Sequence, residues 1–134
     1  MRLRLLYWIP TAQIALVMVG GGFGDALQTE SALQVFRHLG YPNYFSTMLG
    51  VAQLLGVVTL LVPVPRTLRE WAYAGFTFDI GAAILSILSV GDPLSHVAIP
   101  LYALAMLQLS YFAWRRRERT ALSSPLAEPP PQPA

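Results

Sequence analysis

WAYAGFTFDIGAAILSILSV, residues 71–90, decides the fold. About 20 consecutive apolar residues in a helix cross the hydrocarbon core of a bilayer, and this stretch has that length. One acid interrupts it, Asp79, near its centre. A carboxylate at that depth costs about 2.5–3.5 kcal/mol on insertion scales, so it faces protein or water rather than lipid. Three further windows, 5–24, 43–62 and 94–114, contain no Asp, Glu, Lys or Arg. Together the four windows predict an all-α, integral membrane, antiparallel four-helix bundle over residues 1–119.

The punctuation between the windows agrees. Pro63 and Pro65 stop the second span, and Gly91-Asp92-Pro93 makes a tight turn after the third. Pro42 suits the first turn of the second span, while Pro100 is expected to kink the fourth. The external loop, 25–42, carries Leu27, Leu33, Val35, Phe36 and Leu39 in a pattern that predicts a short amphipathic helix. Residues 120–134 end in PPPQPA and are expected to be a disordered, Pro-rich cytoplasmic tail.

Charge sets the orientation. Eight of the nine arginines fall on one side of the spans: Arg2, Arg4, Arg66, Arg69, Arg115, Arg116, Arg117 and Arg119. Only Arg37 falls on the other. The positive-inside rule then places both termini in the cytoplasm, and Trp8, Trp71 and Trp114 all stand at that same boundary. The use of arginine without lysine suggests a GC-rich genome and so a bacterial inner membrane. The first span lacks a small-x-small site after its apolar core and is expected to be retained.

Composition narrows the chemistry. The chain is 54% hydrophobic and 12% charged, a balance suited to lipid. With no cysteine it cannot form a disulfide, use a thiolate or ligate an iron–sulfur cluster. The net charge of +2 resides at span ends, so no nucleic-acid partner is expected. No phosphate loop, nucleophile elbow or metalloprotease motif is present. His38 and His96 fall near the external boundary and lack metal-ligand spacing, so no metal is expected.

The candidate site lies among the few polar residues within the spans. Ala72, Gly75, Asp79, Ala82 and Ser86 are spaced to share one helix face, which predicts the packed face of the third span and a surface for self-association. Gln13, Gln53 and Gln108 each offer an amide from another span and are expected to converge on Asp79. Two readings stay open: interhelical glue, or a polar pocket for a lipophilic ligand such as a quinone. Arg37 is the one cation that could reach Asp79 from outside. Glu70, beside Arg66 and Arg69, complements the start of the third span and is a lesser ligand candidate. No catalytic residue is assigned.

Residues 36–92 carry a further pattern. LGYP at 39–42, LGVAQLLG at 49–56 and EWAYAGF at 70–76, followed by the acidic small-residue helix, resemble the DoxX-like family of small four-span bacterial membrane proteins. That resemblance implies the same four-span fold. It implies association with a quinone-linked membrane oxidoreductase, as an accessory subunit or an assembly factor, and it carries no catalytic residue onto this sequence. The functions it leaves in play are an accessory redox subunit binding a lipophilic molecule, a non-catalytic scaffold, and a small-solute transporter. The expected partners are the lipid bilayer and a second copy or another membrane protein.

Overall fold

The computed structural model describes residues 1–123 of the chain. Helix boundaries fall where proline and glycine put them. Helix α1 runs Arg2–Ala26. The short α2, Glu30–His38, begins at Thr29, whose hydroxyl accepts from the Ala32 N–H; Glu30 in its first turn and Arg37 and His38 in its last complement the helix dipole. Gly40 follows with φ +84°, a left-handed turn that glycine enters without a Cβ penalty. Pro42 precedes α3, Asn43–Leu61, and Pro65 precedes α4, Arg66–Val90. Gly91, again at φ +84°, closes α4, and a 3₁₀ turn, Leu94–Val97, leads into α5, Ala98–Leu122.

The four long helices, α1, α3, α4 and α5, are each long and apolar enough to cross a membrane. The protein is therefore a multi-pass membrane protein. The amphipathic helix expected in the external loop is α2, which buries Leu33 and Phe36 and leaves Val35 exposed.

Two helix boundaries differ most from the sequence expectation. Helix α4 starts at Arg66, five residues before the apolar window, because nothing after Pro65 breaks the helix and Arg66–Glu70 needs no lipid. Helix α5 likewise continues past Trp114, which places the four arginines that follow the apolar window on the same helix. Pro100 is the third residue of α5, inside its first turn, where a helix accepts proline most readily. Residues 120–122, expected in the tail, are instead the last of α5, and 124–134 lie outside the described residues.

Around the bundle the order is α1, α3, α4, α5, each helix packing against its sequence neighbours and α5 closing back on α1. The ring is an up-and-down bundle. Its centre holds Ile14, Leu60 and Leu107, with Val57, Phe76 and Ile80 packed beside them. In lipid the apolar tails offer Leu nothing that another Leu does not, so packing and small residues decide which faces meet. Helices α1 and α3 cross closely at Gly22 and Gly50, where a Cβ on Gly50 would fall on the backbone of Ala26 and Gly22.

A second device holds the centre. The Thr11 hydroxyl is 2.6 Å from the Ser110 hydroxyl, which is 2.8 Å from the Tyr73 hydroxyl, and Thr11 also donates to the Tyr7 carbonyl. All three side chains are buried, so α1, α4 and α5 are joined by a chain of hydroxyls shielded from lipid.

The two ends of the bundle differ in charge. At one end Arg66 pairs with Glu70 and Glu118, Arg115 pairs with Glu70, Arg69 donates to the Val62 carbonyl and stacks on Trp114, and Arg117 lies over Tyr7. The eight arginines grouped by the sequence do lie at one end. At the other end α2 is tied to the α4–α5 turn through His38, whose Nε2 is 3.0 Å from both Asp92 carboxylate oxygens. His96 stands 3.8 Å from the same carboxylate. We expect His38→Ala to free α2 while leaving the spans intact. Hydrogen exchange of the α2 amides should accelerate about threefold, a loss of under 1 kcal/mol for a partly exposed pair.

Candidate functional site

The stripe Ala72, Gly75, Asp79, Ala82, Ser86 does not form the packed face of α4. That face is Tyr73, Phe76 and Ile80, turned about 100° from it. The reason lies on α3, where Gly56 leaves room for a ring. A Cβ there would stand 2.6 Å from the Phe76 ring, so a bulky ring of α4 seats on a glycine of α3. The small residues are left beside this contact, and Gly75 has open space around it.

The result is a groove between α3 and α4. Its cavity, about 190 Å³, is lined by Ala52, Gln53 and Gly56 of α3 and by Trp71, Ala72, Gly75, Phe76 and Asp79 of α4. Asp79 lies thirteen residues from the start of α4 and eleven from its end, at the middle of the span. Trp71, mostly exposed, lies eight residues nearer the arginine end, about 12 Å along the axis. The groove is thus a short apolar channel with a polar inner end and an aromatic outer end.

The inner end is a hydrogen-bonded pair. Gln53 Nε2 donates to Asp79 Oδ2 at 2.9 Å. The Gln53 Oε1 is buried with no partner and lies on the side of Gly21 of α1. Such an orphaned acceptor costs about 1–3 kcal/mol unless a donor reaches it. No arginine or histidine pairs with Asp79 among the described residues. Arg37, the expected reach from outside, instead pairs with Glu30 at 3.5 Å on the exposed side of α2.

The other candidates go elsewhere. Gln108 Nε2 donates to Thr77 Oγ1 at 3.1 Å and, with Glu70, lines a separate groove of about 290 Å³ on the opposite flank of α4. Gln13 is exposed and accepts a 3.3 Å bond from the Tyr102 hydroxyl. The expected convergence of one amide from each span is therefore not what forms. Only Gln53 has the helix rotation that brings it to Asp79, because the rotation of α1 is fixed by Gly22 against Gly50 and that of α5 by Ser110 against Thr11 and Tyr73.

One residue was missed by the sequence reading. Asp25, in the last turn of α1, is half-buried and close enough to Asp79 for the two carboxylates to interact through space. It looked like a loop residue because it follows a glycine run, and nothing local marks it. Among the described residues no group of three or more His, Asp or Glu is placed to hold a metal ion.

No curated protein and no solved structure matches the chain. A sequence model does, across residues 9–110, a range that takes in most of the four spans and both members of the Gln53–Asp79 pair. By that match the chain belongs to the DoxX-like family.

Proposed function

We propose that the α3–α4 groove binds the polar head of a lipophilic small molecule, of the quinone class, and that the protein is an accessory subunit of a redox or quinone-linked system. In this reading it sits in a bacterial inner membrane with both termini cytoplasmic. The observation that carries it is a carboxyl group and an amide hydrogen-bonded at mid-membrane, at the inner end of an apolar groove next to lipid. A carbonyl or hydroxyl head group meets a hydrogen-bonding partner there, and the apolar tail leaves along Gly75, Ala72 and Trp71. Gln53 and Asp79 orient the head, and Phe76 walls the groove on the core side. The chain has no cysteine to relay electrons, so its contribution is to hold and position the molecule for a partner.

Native mass spectrometry with lipid extraction tests this on protein purified in mild detergent. Wild type should carry one discrete lipophilic mass, and Asp79→Asn should retain it about tenfold less, which is about 1.4 kcal/mol. Gly75→Leu supplies an independent check, since the new side chain enters open space and fills the groove without touching the core. It should lose the mass with thermal stability unchanged. A bare wild type, or equal occupancy in all three proteins, would refute the proposal.

A scaffold role is the second reading. It is favoured by the α2 end of the bundle, where Val35 remains exposed beside the His38–Asp92 tie. Crosslinking from Val35 that captures a neighbouring membrane protein would support it.

A further inference from the structure

The flank between α1 and α5 has a groove of another kind. Its cavity, about 370 Å³, is walled by Leu5, Leu6, Ile9 and Pro10 of α1 and by Met106 and Leu109 of α5, and Arg2 stands at its end. From Arg2 to Pro10 the groove runs about 12 Å along the helix axis, from the arginine end toward mid-membrane. Arg116 lies seven residues beyond Leu109, two turns along the same face of α5, so it flanks the same end.

The charges at that end are unequal. Its described carboxylates are Glu70 and Glu118, and both are taken by Arg66 and Arg115. Arg2 and Arg116 make no side-chain hydrogen bond or ion pair among the described residues. Two unneutralised guanidiniums therefore stand at the head-group level, over an apolar furrow that faces the acyl chains. This is the charge and shape complement of an anionic phospholipid: phosphate to the fork of an arginine, acyl chain to the furrow.

We infer that the α1–α5 groove is a binding site for an anionic phospholipid, with Arg2 and Arg116 on the phosphate and Leu6, Ile9 and Met106 against an acyl chain. The site is separate from the α3–α4 groove and does not depend on what that groove holds. Arg4 and Arg119 add to the general positive field without lining the furrow.

The test is native mass spectrometry of delipidated protein titrated with phosphatidylglycerol or with phosphatidylcholine. Wild type should take up one phosphatidylglycerol in preference to phosphatidylcholine. Arg2→Gln and Arg116→Gln should each weaken that uptake about fivefold, from the contribution of one basic residue near an anionic surface. Arg66→Gln removes the same charge at the same end, but from an arginine already held by two glutamates, and should leave uptake unchanged. Ile9→Trp, an exposed position inside the furrow, should reduce uptake without altering charge. Equal binding of the two lipids would overturn the inference, because the groove would then be an ordinary lipid contact. So would an equal loss in Arg66→Gln, which would make the effect one of diffuse charge.

Discussion

Gly50→Ala should destabilise the folded bundle by about 3 kcal/mol, the upper end for adding a methyl to a packed interior. The added Cβ meets the backbone nitrogen and Cα of Ala26 and the carbonyl of Gly22, none of which can swing away. Helices α1 and α3 would have to move apart, and the bond from the Ser46 hydroxyl to the Asp25 carbonyl, 2.8 Å, lies one turn away and would stretch with them. Gly22→Ala is the internal comparison. There the Cβ meets the Leu54 side chain at 3.1 Å and the Gly50 carbonyl at 3.2 Å, contacts that partly yield, so the cost should be about 1 kcal/mol. Denaturant unfolding in mixed micelles reads both. Equal, small losses would mean that α1 and α3 do not cross at this pair of glycines.

Ser110→Ala should cost about 2 kcal/mol, and more than Tyr73→Phe does. Ser110 is the middle of the hydroxyl chain. Without it the Tyr73 hydroxyl loses its partner while buried, whereas Thr11 keeps the Tyr7 carbonyl. Tyr73→Phe removes the polar atom together with its bond, so no orphan is left on α4 and Ser110 still has Thr11. The asymmetry is the test. The double mutant should be closer to Tyr73→Phe alone than to the sum of the two, because the orphan is gone. Additive losses would mean that the two hydroxyls do not share a bond.

These two experiments probe parts of the molecule that the sequence hid. The spans were legible: four apolar windows, arginines on one side, Pro63, Pro65 and Gly91 at the turns. So was the mid-membrane position of Asp79, and the pieces LGYP, LGVAQLLG and EWAYAGF pointed to the family whose model matches residues 9–110. Depth alone put both Gln13 and Gln53 level with Asp79, and only the structure chose Gln53 as its partner. What could not be seen was that Gln13 and Gln108 face other flanks. Thr11 and Ser110 stand 99 residues apart and are single small hydroxyls, with no periodicity to mark them. The small-residue stripe misled for a related reason. It marks a face that admits close approach, and in α4 the neighbouring Phe76 took that approach against Gly56, leaving the stripe to border a groove.

Read residue by residue, the chain was enough to mark four apolar spans, the turns between them and the ends that carry the positive charge. Those properties are sums over single residues measured against lipid or water, and each residue contributes wherever its helix turns. The tertiary structure alone decided the rotation of each helix about its axis, and so which polar groups meet. In water an apolar stripe would have announced the inward face. In a bilayer the outside is as apolar as the inside, and that choice passes to contacts between distant residues: Gly50 on Gly22, Phe76 on Gly56, and Thr11 with Ser110.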